Sequence, residues 1–350
     1  MFFSLFYDSI FFMIIGFCYN VKHNLPSTDP KAQADIEFDA PEVITAITKA
    51  LGSGGHEVIP IEADELAYSK LYKLKNKIDI IFNIAEGYYG DAREAQIPII
   101  CDILQIPYTH SSALTHAVKL DKALTKKIFI HHRIATPDFQ LFISPKDKLN
   151  PKLKFPLFLK PNAEGSSKGV MNDNLVKNKS VFYKRLKWLF EHFRVPVLVE
   201  KFLPGREFTV AILGNPPQAL PIIEQRLDRL PKEYGPFSSY EVKWLWEDTL
   251  DDITFAYDCP AKIEAKLKQQ INDLSIFAYN ALNCRDCARV DIRLDNNGEP
   301  NVLEINTLPG LMPAEMGVSY FPIAVRAAGM SYNEMVLAIL EAACKRYGLT

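Results

Sequence analysis

Residues 288–306 read ARVDIRLDNNGEPNVLEIN, and this stretch decides the fold. Two runs that alternate apolar and polar residues flank Asn297 and Gly298. Asn-Gly is a strong hairpin signal because both residues tolerate positive φ. A two-residue turn centred there sets Asn296 opposite Glu299, Asp291 opposite Glu304 and Arg289 opposite Asn306. Alternation then sends Val290, Ile292, Leu294, Leu303 and Ile305 to a core face, and Arg289, Asp291, Glu304 and Asn306 to the other. Carboxylates directly opposed across strands repel. A hard divalent cation with oxygen ligands removes that penalty, and Mg²⁺ commonly shares its sites with phosphates. Asp291, Glu304 and Asn306 therefore read as candidate metal ligands. The alternative at this point is a solvated polar face on which Arg289 and Arg293 neutralise the acids.

Upstream, residues 155–160 (FPLFLK) form an apolar strand ending in Lys160, followed by a polar glycine- and serine-containing loop over 162–169. Such a loop exposes backbone N–H groups that can wrap phosphate oxygens, with Lys160 as a point charge beside it. It matches neither the P-loop nor the dinucleotide pattern, and an ordinary surface turn would read the same way. Glu200 lies in the next strand, 195–202, and Glu207 just beyond it, where carboxylates could accept from an adenine amino group or ribose hydroxyls.

The first third of the chain alternates strands and helices. Strands are expected within 11–19 (FFMIIGFCY), at 56–61 and at 78–84 (IDIIFNI), with a helix over 41–51. Near-continuous apolar runs suit a parallel sheet covered on both faces. The fold class is α/β: a doubly wound N-terminal domain at 1–117, then two α+β segments at 118–203 and 204–350. Helices are expected at 119–131, 181–193, 261–282 and 332–347, and a strand at 208–213. The irregular stretch 225–252 is long enough to suggest a functional loop.

With 48% hydrophobic and 23% charged residues, the composition is that of an ordinary globular protein. A net charge of −2 supplies no basic excess for nucleic acid. The six cysteines are scattered except for Cys284 and Cys287, which lack a second pair at zinc-ligand spacing, so reduced thiols in a cytoplasmic protein are expected. The apolar residues 1–18 lack a basic flank and a cleavage site, and Asp8 interrupts them. They are also short for a membrane span. Residues 1–11 read as a leader, an anchor or a misassigned start.

In order along the chain, NIAEGYYGDAREAQIP (83–98), IPYTHSSALTHAVKLDKALTK (106–126), FPLFLKPNAEGSSKGV (155–170), PVLVEKFLPGREFTVAILGN (196–215) and NCRDCARVDIRLDNNGEPNVLEINTLPG (283–310) resemble the D-alanine–D-alanine ligase family of ATP-grasp enzymes. The last stretch is the most specific. The resemblance implies two α+β subdomains clamping ATP, with two Mg²⁺ ions (Mn²⁺ as a substitute) on Asp291, Glu304 and Asn306. Lys122 and Lys160 would contact phosphates, Ser166 and Ser167 would belong to a mobile lid, and Lys243 would approach the γ-phosphate. Glu200, Lys201 and Leu203 would border adenine, and Glu207 would take the ribose. Arg289, with backbone N–H near Gly310, would stabilise an oxyanion. The implied reaction joins a carboxylate to an amine through an acyl phosphate, in a cytoplasmic homodimer acting on amino acids or amines. In the family this makes D-alanyl-D-alanine for peptidoglycan.

The departures cluster where amino-acid substrates would sit. The family's N-terminal glycine-rich motif and its amine-gripping Glu are replaced by Tyr19-Asn20 and a polar segment to Asp39. A His-Gly pair becomes Glu86-Gly87, and a Lys-Tyr pair becomes Lys243-Trp244, losing a hydroxyl that orients the lid. Beyond Gly310, Glu315 is expected to repel a substrate carboxylate. A ligase for another amino acid, dipeptide or amine, and a non-catalytic nucleotide-binding protein, are the alternatives. A kinase-like phosphotransferase is disfavoured by Arg289 together with the NTLPG segment.

Overall fold

The computed structural model describes residues 12–24, 26, 27, 29, 33 and 35–349; the expected leader or anchor at 1–11 lies outside the described residues. Among the described residues no single helix is long and apolar enough to cross a membrane.

The first sheet is parallel, in the order β2 (Glu57–Glu62), β1 (Ile14–Tyr19), β3 (Ile80–Asn83). Its helices are α1 (Pro41–Ser53), α2 (Ala67–Leu74) and α3 (Gln96–Leu104). Both faces are covered, which explains the unbroken apolar runs. Ile15, Phe17, Ile80 and Phe82 pack with Val43, Ile47 and Leu51 of α1. Cys18 and Ile81 face the other way, against Leu71 of α2 and Ile97 and Cys101 of α3.

Next come α4 (Ala113–Leu120), α5 (Lys122–His131), β4 (Phe139–Phe142), β5 (Leu157–Pro161), β6 (Leu175–Val176), α6 (Lys179–Phe193) and β7 (Val197–Lys201). The strands form an antiparallel sheet in the order β4-β7-β5-β6. Where one helix was expected over 119–131, the chain breaks at Asp121. Its backbone is extended, and its side chain accepts from the Leu124 N–H at 2.9 Å, capping α5. Lys122 thereby occupies the first position of a helix.

The third sheet uses β8 (Glu207–Leu213), β9 (Gln218–Ala219), β10 (Ile223–Gln225), β11 (Tyr257–Asp258), β12 (Cys287–Leu294) and β13 (Pro300–Asn306), with α7 (Ala265–Ala281), α8 (Tyr320–Ala327) and α9 (Tyr332–Tyr347). Its order is β11-β10-β8-β12-β13, with β9 paired to β8. α7 covers one face of it. α9 returns to the first sheet, where Met335, Val336, Ile339 and Leu340 join the core beneath Ile15 and Phe17. Cys287 opens β12 inside the core, and Cys284 is buried just before it.

The β12–β13 register matches the sequence reading at the site and departs from it near the turn. Asp291 pairs with Glu304 and Arg289 with Asn306. However, Leu294 pairs with Pro300, so the loop spans 295–299 and is not a two-residue turn. Asp295 is the reason: its Oδ1 accepts from the N–H groups of Asn297 (2.8 Å) and Glu299 (3.0 Å), closing a wider loop. A bulge beyond the Asp291 pair inserts one extra residue, Leu303, and restores the register. Val302, not Leu303, therefore fills the core; Leu303 is half-buried and lines the cavity described below.

This yields a direct test. Val302→Ala should lower unfolding stability by roughly 1–3 kcal/mol through lost core volume. Leu303→Ala should cost clearly less while weakening nucleotide binding. Urea denaturation of both variants, with ATP titration of the second, distinguishes them; equal destabilisation would contradict the bulge.

Candidate active site

Three antiparallel strands place one row of polar groups on the cavity side. Glu207 stands opposite Arg293, Thr209 opposite Asp291 and Asp291 opposite Glu304, while Arg289 stands opposite Asn306. The cavity they border, of about 350 Å³, lies between the second and third sheets and is closed at one side by the end of the first. All the residues assigned to the site from the sequence line it: Lys122, Lys160, Ser166, Ser167, Glu200, Lys201, Leu203, Glu207, Lys243, Arg289, Asp291, Glu304, Asn306 and Gly310.

Lys122 and Lys160 reach this row from the opposite wall. Their Nζ atoms lie 4.0 and 3.8 Å from Glu304 Oε2. Burial alone would raise the Glu304 pKa. The positive Lys122, Lys160 and Arg289 outweigh it and bring the carboxyl down to about 2. Asp291 is bound more tightly. The Arg289 guanidinium donates to both its oxygens at 3.0 and 2.9 Å, Asn306 Nδ2 donates at 3.1 Å and Thr209 Oγ1 at 2.6 Å. The acids of this row are thus matched by Arg289, Lys122 and Lys160 within the structure.

Sequence reading missed what holds Lys160. Glu200 lies diagonally across β5 and β7 from it, and its carboxylate is held between Lys160 (2.9 Å) and Lys126 (2.5 Å). Burial would raise the Glu200 pKa, but the two ammonium groups lower it. Glu200 therefore positions the lysines, while Lys201 and Leu203 supply cavity wall. The available signal was spacing: Lys126 follows Lys122 by one helical turn. Glu207 likewise has a partner, accepting from Arg293 Nη1 at 2.7 Å, although its burial still raises its pKa.

The loop after β5 turns through Ser166 and Ser167, both with positive φ (49° and 59°). Lys122 Nζ donates to the Glu164 carbonyl at 2.5 Å. A Cβ on Gly165 would collide with Glu37 Oε1, so a larger residue there requires the Glu37 side chain to shift. The stretch after β10 covers this loop. Tyr240 N–H donates to Val170 O at 2.7 Å and Ser167 Oγ to Ser238 O at 3.3 Å. Lys243 and Trp244 sit in a π-helical turn, Val242–Trp246. Where the sequence loses a hydroxyl at position 244, the Trp244 indole N–H donates to Ser166 O at 2.9 Å.

At the far end, the apolar Leu311, Met312, Met316 and Val318 line the cavity. Glu315 does not. Its side chain is 78% exposed, 4.0 Å from Arg326, so the expected repulsion of a substrate carboxylate is corrected. Glu86 lines the cavity just after β3, beside Glu37 and Glu94.

An α/β parallel sheet followed by two antiparallel α+β sheets with a polar cavity between them is the ATP-grasp fold. The family model described as the D-ala D-ala ligase C-terminus matches residues 114–341. The crystal structure of D-alanine–D-alanine ligase from Bacillus anthracis complexed with ATP superposes with a TM-score of 0.72 at 27% identity, covering 96% of this chain and 99% of that one. The D-alanine–D-alanine ligase of Bordetella pertussis is 37% identical over 273 residues, 76% of this chain and 78% of that protein. An uncharacterized protein of Sinorhizobium fredii, y4sG, is 33% identical over 312 residues, 87% of this chain and 88% of its own length. The chain belongs to the D-alanine–D-alanine ligase family.

Burial, then the nearby Arg289 charge, lowers the Lys243 pKa to about 8. Between pH 8 and the ordinary lysine pKa of about 10.4, the folded chain binds fewer protons here than the unfolded chain. Stability contributed by this site must therefore rise over that window. Without ligand, wild type should gain stability relative to Lys243→Met from pH 8 to 10; a constant difference in denaturation midpoint would refute the buried, depressed lysine.

Proposed function

We propose that this chain is an ATP-dependent ligase that joins a carboxylate to an amine with release of ADP and phosphate. The observation that carries this reading is the opposed pair Asp291 and Glu304, facing Lys122 and Lys160 across a cavity that a serine-glycine loop closes.

The two lysines hold the phosphates of ATP, and the loop through Ser166 and Ser167 covers them. Leu203 and Lys201 border the base, with Glu207 at the ribose. Lys243 approaches the γ-phosphate. The substrate carboxylate attacks the γ-phosphorus and ADP leaves, giving an acyl phosphate. The amine of the second substrate then attacks the acyl carbon. Arg289 and backbone N–H groups near Gly310 stabilise the resulting oxyanion, and phosphate departs. Closure by Trp244 on Ser166 excludes water that would hydrolyse the intermediate.

The donor set fits Mg²⁺. Glu304 is ionised, and Asp291 and Asn306 present hard oxygens on the same row. Two ions held by Asp291, Glu304 and Asn306 would supply charge neutralisation at the transferring phosphoryl group. The family's reaction, D-alanyl-D-alanine synthesis for cell-wall assembly in the cytoplasm by a homodimer, is the reference case.

The test is a screen for ADP and phosphate release across D- and L-amino acids, dipeptides and amines, with mass spectrometry of products. Turnover should require both a carboxylate and an amine. Glu304→Gln should reduce it by about 100-fold or more with its folding transition unchanged. Mg-ATP binding without turnover for any pair would overturn the ligase reading and favour a non-catalytic nucleotide-binding protein.

A further inference from the structure

Most carboxylates lining the cavity are matched to a cation. Glu200 has Lys126 and Lys160, Glu207 has Arg293, and Asp291 has Arg289. Around the Gly/Ser loop, Glu37 accepts from Arg93 at 2.7 and 2.9 Å, Glu94 is paired with Lys119, and Glu164 lies 3.0 Å from Lys168. Glu86 and Asp39 line the same cavity, and neither makes an ion pair among the described residues. In the group Glu37, Glu86, Glu94 and Glu164, set against Arg93, Lys119 and Lys168, one carboxylate is left over, and it is Glu86.

The position of Glu86 is also that of a ligand contact. It lies just beyond the carboxyl end of β3, next to the end of β1, where Gly87 N–H donates to Asn20 Oδ1 at 2.9 Å. Ligands of open parallel sheets bind at that edge. Burial, then the neighbouring Glu94, pushes the Glu86 carboxyl well above its ordinary pKa, although Lys119 and Arg93 oppose this. Asp39 is likewise raised to about 7 by burial, despite Lys22. A divalent metal fits this group less well. The oxygens of Glu37, Glu86 and Glu94 do lie within 4.8 Å of one another, but Arg93 and Lys119 already occupy two of these acids. A single positive charge balances the group.

Resting on the ligase reading, we propose that the amino-acid substrate is a diamino acid, and that Glu86 is the specificity-determining residue that takes its side-chain ammonium. The α-ammonium of such a substrate faces Asp39, and its aliphatic stem suits the apolar wall of Ile84, Leu311 and Met312.

The test is calorimetric binding to the full chain with Mg²⁺ and a non-hydrolysable ATP analogue. The probes are lysine and ornithine against norleucine and norvaline, each as both enantiomers. At least one basic amino acid should bind about 10-fold or more tightly than its neutral counterpart, the scale of a charged hydrogen bond. Glu86→Gln should erase that difference and leave the affinity for the ATP analogue unchanged. Equal affinities in the wild type, no amino-acid binding, or a preference that survives Glu86→Gln would each overturn the proposal. Alanine turnover without a lysine preference would leave the ligase standing and remove only this inference. Lysine binding without any ADP release would do the reverse.

Discussion

The site depends on holding Asp291 and Glu304 side by side on neighbouring strands. Left alone, two facing carboxylates destabilise a strand pair, and burial makes it worse. The fold answers with cations from three directions: Arg289 along the same strand, Lys160 from the end of β5 and Lys122 from the start of α5. Each cation is itself fixed. Lys160 is held by Glu200, which Lys126 holds in turn. Lys122 is placed by the Asp121 cap, and Asn162 ties that cap to the loop by donating to Asp121 Oδ1 at 2.8 Å and accepting from Ala123 N–H at 2.9 Å. The break between α4 and α5 is thus what brings Lys122 to Glu304.

The same charges make the ligand-free cavity poised for an anion. Lys122 is pushed below its ordinary pKa by burial and by Lys160, although Glu304 opposes this. Lys243 is depressed by burial and Arg289. Clustered, partly dehydrated cations gain most from a polyphosphate, which returns the negative charge they lack. Arg289 is shared differently: it is engaged by Asp291. In the proposed reaction Asp291 would help hold the divalent ion, which would supply a second positive charge beside the carboxylate that Arg289 now engages.

Much of this was legible because it is local. Alternation and the Asn-Gly pair set Asp291 against Glu304, and apolar runs gave the buried strands and α9. The turn itself was misread, since the Asp295 side chain closes a wider loop and the Leu303 bulge cancels the slip. Two errors of one residue compensated at the site and left their trace only in the exchanged faces of Val302 and Leu303. The break at Asp121 was hidden because helical periodicity runs on through it. Ion pairs such as Lys126–Glu200 and Lys119–Glu94 are not legible, because they join segments far apart in the chain. Nor does local sequence reveal that α9 covers the first sheet.

The two halves of the site differ for the same reason. The nucleotide half is built on strands and a helix start whose side-chain directions follow from backbone periodicity. The half proposed to take the substrates is lined by the ends of strands and by loops: residues 36–40, the turn carrying Glu86, and residues 311–320. There a residue's role depends on which neighbours arrive, not on its own stretch of chain. Glu315 and Glu86 make the contrast plain. Both are acids at positions where the sequence departs from its family, yet one points to solvent and the other lines the cavity outside any ion pair among the described residues. The departure from the family was visible in the residues themselves; its consequence lay in the charge balance of groups brought together only by folding.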